Sequence, residues 1–594
     1  MNSAADLLNL AWQHHQAGAL AEAEAVYRQL VAADPRHADA WHLLGVAVYQ
    51  QGRHREAIGL IDRAIELAPG DPAMYCHRGA AEGSAGELAA AVASFRQALA
   101  INPADPQAWF NLSAALGQLG RGDEALDACR RALQSKPDFV QAWFNLGNLL
   151  REAGRHGEAV DAYRQAIRIW PDYAEAHNNL GSLLQRLGQL DEAAAALREA
   201  LRCQPNYARA LSNLGVVLTE EQRLDQAVEL IGRAIAIEPD FVEAHNNLAV
   251  ALMHQGRLDE ALASVERAIA LQPDAAEARK NRAVIWLFQG DFARGWGEFE
   301  WRWKSHDYPR SPYREPYWNG EPLGAGTLLL HAEQGLGDTI QFVRFTALAS
   351  RRAGRTILAC QPPLVPLLAG CVPGVEVLPL GGALPPFDVQ ASLVSLPGLL
   401  GLAPDDPQIR PPYLHPAAEL AAQWRRELAG YPGLKIGIAW QGNPQFRGDR
   451  FRSVRLAEFL PLGRVAGVTL LSLQKGHGSE QVAELAGQLP VVDITPQLDN
   501  ERGAFVDTAA VMAGLDLVIT TDTATAHLAG ALGVPVWVAL AHVPEWRWLL
   551  GRADSPWYPA MRLFRQSAQG DWPGVFARLA EELERLVVGS DSHS

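Results

Sequence analysis

Residues 137–170 read PDFVQAWFNLGNLLREAGRHGEAVDAYRQAIRIW, and the following 34 residues open on Pro171 in the same pattern. Prolines recur at this spacing at Pro35, Pro69, Pro103, Pro137, Pro171, Pro205, Pro239 and Pro273. Inside the quoted stretch two helical apolar patterns are separated by Gly154, and a small residue, Ala159, is followed four positions later by Tyr163. That spacing puts both on one helix face, where a neighbouring helix needs close approach. Glycine marks the same turn in the other units, with Gln222 the exception. Each proline stops a helix and sets the entry to the next. A fixed period of this kind belongs to stacked helix-turn-helix units, which bury their apolar faces only against one another.

The period identifies the units as tetratricopeptide repeats, eight of them, filling residues 1–275 as an α-solenoid. A worn ninth unit carries Gly290, Gly295 and Phe299 in register but lacks a closing proline. It runs into an aromatic stretch, Trp296, Phe299, Trp301, Trp303, Tyr308, Tyr313, Tyr317 and Trp318. Residues 276–326 are therefore expected to cap the solenoid and dock it on the next domain, because a terminal repeat needs a cover.

From residue 327 the period changes. Short apolar runs alternate with helical stretches, the pattern of a parallel sheet flanked by helices. Expected strands are Thr327–Ala332, Thr356–Ala359, Lys435–Ala439, Val468–Leu473 and Leu515–Thr520. The proline-rich segment Ala403–Pro416 divides two Rossmann-like lobes, 327–410 and 411–588. The last helix, Trp572–Val588, is expected to pack back across the lobes, and 589–594 to be a disordered tail.

Composition narrows the classes. With 52 basic against 67 acidic residues the net charge is -15, which argues against a broad nucleic-acid surface. Five scattered cysteines form no CxxC pair and point to a reducing compartment. The N-terminus has no basic leader, and no apolar run reaches the ~20 residues that span a bilayer, so a cytoplasmic location is expected.

Polar clusters come directly after the expected strands, where open α/β sheets bind ligands. Glu333-Gln334-Gly335-Leu336-Gly337-Asp338-Thr339 opens one helix, and Thr521-Asp522-Thr523-Ala524-Thr525-Ala526-His527 opens another. Gln441-Gly442-Asn443-Pro444 precedes Arg447, Asp449, Arg450 and Arg452, and Gln474-Lys475-Gly476 comes after a further strand. Helix N-termini present unpaired amides to a pyrophosphate, and arginines clamp phosphate bidentately. Each cluster has a plainer reading: Asp338 and Asp522 as N-caps, His527 as a core histidine, Lys475 and the arginines as solvated charge. A dehydrogenase is disfavoured, because the Gly335-Leu336-Gly337 turn lacks a third glycine and no acid ends the next strand at Ala359-Cys360. No GxxxxGK[ST] or GxSxG motif occurs.

AEQGLGDTIQFVRF, IGIAWQGNP, LSLQKG, DTAAVMAGLDLVITTDTATAHLAGALGVPVW and EWRWLL resemble bacterial repeat-bearing glycosyltransferases related to heptosyltransferases. Repeats leading into a GT-B domain also resemble O-GlcNAc transferase and flagellin glycosyltransferases. The resemblance implies a general base at Asp338. It further implies donor contacts at Asp522, Thr523, Thr525 and His527, to which the polar clusters after the strands add Gly335, Gly337, Asn443 and Lys475, with no bound metal and no cofactor beyond a nucleotide-sugar co-substrate. Ala524 stands where heptosyltransferases usually carry glycine, which leaves the donor open. Asn111, Asn145, Asn179, Asn213, Asn247 and Asn281 occupy one repeat position, as does Asn9, with Leu43 and His77 interrupting. Such a ladder lines the concave face of O-GlcNAc transferase and implies grip on a peptide backbone, since an amide both donates and accepts. Asparagine is also common at this position in ordinary repeats.

The expectation is a glycosyltransferase moving a sugar from a nucleotide donor to Ser or Thr hydroxyls of a protein recruited by the repeats, flagellin being the first acceptor to test. The alternatives are a scaffold with an inactive transferase domain, and a transferase with a lipid or saccharide acceptor.

Overall fold

The computed structural model describes residues 4–305, 308, 311–446 and 448–591. They divide into two compact units, Met1–Pro239 and Asp240–Ser594.

The first unit is a succession of helix pairs such as Val140–Glu152 with His156–Ile169 and Ala174–Arg186 with Leu190–Cys203. Glycine holds each inter-helix turn because the backbone there is left-handed, with φ from 73° to 82° at Gly18, Gly52, Gly86, Gly120, Gly154 and Gly188. Gln222 adopts the same conformation, φ 61°, at the cost a side chain brings. Within a pair, a glycine of the first helix admits a large side chain of the second. A Cβ on Gly147 would lie 2.5 Å from Tyr163 and one on Gly181 2.6 Å from Leu197, and one on Gly215 would overlap Ile231. Most of the periodic prolines have a second use, since the carbonyl accepts from a side chain six residues on; Leu211, six after Pro205, has no donor to offer. The indole N–H groups of Trp109 and Trp143 donate to Pro103 and Pro137 at 2.8 Å, and Tyr75 donates to Pro69 at 3.2 Å.

The second unit begins with the helices Val242–His254, Leu258–Leu271, Ala276–Phe288 and Phe292–Phe299. The eighth repeat, assigned by its period to a solenoid ending at 275, thus shares a compact unit with the α/β region. Leu258, Leu287, Trp296 and Phe299 pack into the core that holds the sheet residues Leu328 and Val518. Trp296 meets Phe342 and Trp546 edge-on, with centroids 6.0 and 5.4 Å apart. Arg302, with no exposed surface, anchors the docking segment. Its guanidinium grips Glu333 bidentately at 2.8 and 2.9 Å and also reaches Glu300 and Ser395 at 2.7 Å each.

The α/β region holds two all-parallel sheets. The first has the order β3-β2-β1-β4, from β1 (Thr327–His331), β2 (Arg355–Cys360), β3 (Val375–Pro379) and β4 (Val389–Ser392). The second has the order β10-β9-β8-β5-β6-β7. Its strands are β5 (Leu434–Ala439), β6 (Val468–Ser472), β7 (Val491–Asp493), β8 (Leu517–Thr521), β9 (Val536–Leu540) and β10 (Met561–Arg565). Read from β5 as first strand, this is the 3-2-1-4-5-6 order of a doubly wound dinucleotide fold. The chain is a tetratricopeptide solenoid joined to an α/β region of two parallel lobes, an arrangement consistent with GT-B. Strand order reverses between β1 and β4 and between β5 and β8, so the polar loops after β1, β5 and β8 sit at the switch points where such sheets bind ligands.

Two expectations are corrected. The last helix, Trp572–Asp591, does not bridge the lobes: Val575, Phe576, Leu579 and Leu583 bury their apolar stripe against Phe459 and Leu462 of the second lobe. Nor is the chain irregular from 589, because that helix continues to Asp591; residues 592–594 lie outside the described residues.

Candidate active site

The loop after β1 enters the helix Leu336–Phe342, with Gly335 as its N-cap. Asp338 is therefore not an N-cap but the third helical residue, and its Oδ2 reaches back to accept from the Gly335 N–H at 2.9 Å. The loop after β8 enters the helix Ala524–Leu532, capped by Thr523, so Asp522 is not an N-cap either but the residue before the cap. These two helices, one from each lobe, meet at their first turns. A Cβ on Gly337 would lie 3.1 Å from His527 Cδ2 and 3.3 Å from Ala524 Cα. The missing side chain at Gly337 thus lets the two motifs touch, bringing Asp338, His527 and Asp522 into one cluster.

The cluster is arginine-rich. Arg547, from the loop after β9, is 3% exposed. It donates to Asp338 Oδ1, to Glu545 and, at 2.8 Å, to Gln341 Oε1. Burial by itself would lower its pKa, but Glu545 and Asp338 raise it above the ordinary guanidinium value. Burial pushes the Asp522 carboxyl up, with Asp338 adding to the shift and Arg452 and Arg547 opposing it. His527 is held well below the ordinary imidazole value by burial and by Arg547, Arg344 and Arg452, so it is neutral near pH 7. Its ring stacks on Trp548 at 5.3 Å, and its Nδ1 pairs with the Tyr558 hydroxyl at 3.0 Å. The ring's Cδ2 edge faces the Asp338 helix. Arg344 ties the lobes behind it, donating to the Trp557 carbonyl at 2.8 Å and the Tyr413 hydroxyl at 2.9 Å.

Of the remaining expected donor residues, Thr523 pairs with Thr520 at 3.2 Å and Thr525 is buried beside it in the first helical turn. Asn443 is exposed and caps its own turn, accepting from the Gln445 N–H at 3.0 Å. Lys475 spends its ammonium on the Leu498 carbonyl and on Asn500 Oδ1, the latter at 2.9 Å. Neither contact joins them to the Asp338–His527 cluster. Asp449 is buried, bonded to Ser453 at 2.7 Å and Arg452 at 3.3 Å; Arg447 lies outside the described residues.

From Asn111 onward the ladder asparagines are half-buried and mostly stitch successive repeats together, whereas Asn9 is exposed. In the first unit Asn145 donates to Ser113 at 3.1 Å, Asn179 to Asn148 at 3.0 Å and Asn213 to Asn178 at 2.9 Å, while Asn111 accepts from Gln107 at 2.9 Å. In the second unit Asn281 donates to Asn246 at 2.8 Å, and Asn247 is also engaged. Each amide nitrogen has two N–H groups, so one such bond leaves capacity for a ligand.

Sequence reasoning assigned no role to Arg547, Gln341 or Tyr558. Only the charge set among the tryptophans of EWRWLL could have drawn attention to Arg547.

Comparison with known proteins agrees with this architecture. Tetratricopeptide repeat families match residues 8–72, 84–150, 147–188, 178–239 and 218–293. Glycosyltransferase family 9 (heptosyltransferase) matches residues 460–540, which hold Lys475, Asp522, Thr523, Thr525 and His527. The chain is 30% identical over 324 residues to Protein FlbA of Caulobacter vibrioides. That match covers 50% of this chain and 53% of FlbA, so the chain spans about half of that relative. Among solved structures it is similar to a chain of the APC/C Cut9–Hcn1 hetero-tetramer (16% identity, 48% of this chain and 56% of that one, TM-score 0.36). It is also similar to YrrB, a tetratricopeptide protein with an unusual peptide-binding site (25% identity, 31% and 95%, TM-score 0.27). The chain therefore carries tetratricopeptide repeats and a region, residues 460–540, that matches family 9 glycosyltransferases. Among the described residues no helix is long and apolar enough to cross a membrane.

Proposed function

We propose that this protein transfers a sugar from a nucleotide-sugar donor to Ser or Thr hydroxyls of a protein acceptor in the cytoplasm, without a bound metal. The observation that carries the reading is the contact of Gly337 with His527 and Ala524, which sets the candidate base Asp338 against the candidate donor helix. In this reading Asp338 takes the proton of the acceptor hydroxyl as its oxygen attacks the anomeric carbon. The bond from that carbon to the donor phosphate breaks, and its electron pair leaves with the phosphate. Arg547 and Arg452 supply the positive charge that the leaving group needs, and the amides of Thr523, Ala524 and Thr525 add the helix dipole. Neutral His527 orients the donor as a hydrogen-bonding group rather than as a charge. The repeats recruit the acceptor, and flagellin is the acceptor to try first.

The test is thermal stabilisation of the protein by UDP, CMP, ADP and GDP, and then transfer of the matching labelled sugar to flagellin, since a ligand bound only by the folded state raises its stability. One nucleotide is expected to stabilise, and Asp338→Ala to abolish transfer with the fold intact. No stabilisation by any of the four, or full transfer by Asp338→Ala, would overturn this reading.

A further inference from the structure

Asp338 is fully engaged in the structure. One carboxylate oxygen accepts from the Gly335 N–H and the other from Arg547, so the group assigned to take a proton is held by a cation from the opposite lobe. Arg547 is an unusual cation to spend on that task. It is 3% exposed, sits between Trp546 (4.5 Å to the centroid) and Phe342 (5.6 Å), and has its carbonyl fixed by the Trp557 indole at 3.0 Å. Its guanidinium feels Glu545, Asp338 and Asp522 together. Beside it Gln341 gives its Oε1 to Arg547, while the buried Nε2 of the same amide has no hydrogen-bond partner among the described residues. A buried unpaired N–H is costly, and an incoming acceptor oxygen would relieve that cost. A guanidinium and an unpaired amide N–H, side by side at a switch-point edge, are donors suited to phosphate oxygens.

We propose that Arg547, with Gln341, binds the phosphate of the donor nucleotide, and that Arg547 does so by leaving Asp338. This rests on the glycosyltransferase reading and adds an order to it. Before donor binds, the Arg547–Asp338 pair closes the lobes and keeps the base occupied. The donor phosphate carries charge and geometry that compete for the same fork, and drawing Arg547 to it releases the carboxylate for the acceptor. The base is freed only when a donor is present, so donor binds first.

A thermodynamic cycle on the full chain tests this, using whichever of UDP, CMP, ADP and GDP stabilises the wild type most. Asp338→Asn removes the competitor for Arg547 and is expected to tighten nucleotide binding about five- to tenfold, while Arg547→Gln weakens it at least about tenfold. In the double variant the gain from Asp338→Asn disappears. Should Arg547→Gln fail to fold, Arg547→Lys serves in the same cycle, since a point charge loses the fork contact while keeping the charge. Unchanged affinity in Asp338→Asn, or a gain that persists without Arg547 as simple removal of negative charge would give, overturns the exchange and leaves the transferase reading standing. Absence of any nucleotide binding to the wild type overturns both.

Discussion

Replacing Arg302 by Met tests how the repeat end is fastened to the α/β lobes. The side chain has no exposed surface and makes two bonds to Glu333, one to Glu300, one to Ser395 and one to the Phe299 carbonyl at 3.3 Å. It also lies over the rings of Trp303 and Phe299 at 4.5 and 4.8 Å. Methionine fills most of the volume but leaves the Glu333 side chain, 6% exposed, without its cation. Removing one partner of a buried pair costs about 3–5 kcal/mol, whereas replacing both by apolar groups is near neutral. Arg302→Met should thus lose ~3–5 kcal/mol, and Arg302→Met/Glu333→Leu should recover most of it. The assay is denaturant unfolding monitored by tryptophan fluorescence, with the transition of the second unit resolved from that of the first, because a two-unit chain is not two-state. Glu333 stands two residues before the N-cap of the Asp338 helix, so nucleotide binding should weaken in the single variant as well. A loss below about 1 kcal/mol, or a double variant no better than the single, would refute the role of Arg302 as a buried clamp.

Gly147→Ala should cost about 1–3 kcal/mol in the first unit's unfolding, since its Cβ would press on the Tyr163 ring at 2.5 Å and the ring is fully buried; a neutral result would mean the helices part freely. Asp522→Asn should abolish transfer yet stabilise the fold at neutral pH. Burial raises the Asp522 carboxyl above its ordinary value, so the folded state holds the proton more tightly, and wild-type stability falls as pH rises from the ordinary carboxylate range through the raised value. The advantage of Asn, read from melting curves across pH, is therefore absent at strongly acid pH and full above that window; an advantage that shrinks with rising pH would contradict it. Replacing Asn145, Asn179 and Asn213 together by Ala should weaken acceptor binding while sparing nucleotide binding. It should also cost roughly 1 kcal/mol for each inter-repeat bond lost. Unchanged acceptor affinity would reduce the ladder to a repeat stitch.

The period of the prolines determined the helix pairs, because every repeat solves the same local problem. Left-handed turns need glycine, close helices need Ala159 or Gly147, and most of the proline carbonyls take a donor six residues on. Five strands after 327, β1, β2, β5, β6 and β8, were legible as short apolar runs, and so were the loops at their carboxyl ends, whereas β3, β4, β7, β9 and β10 were not named. The pairing across some 200 residues was not written in any segment. Asp338 and His527 were each marked as candidates in separate polar clusters, but only the packing of Gly337 against Ala524 joins them. Arg547 was invisible for the same reason: an arginine among tryptophans becomes a site residue only when folding buries it against the Asp338 carboxylate of another lobe. Lys475 and Asn443 went the other way. Their place after strands marked them, yet local carbonyls and turns claim their polar atoms. Local periodicity is written in neighbours along the chain, whereas a site between lobes depends on contacts that no single segment encodes.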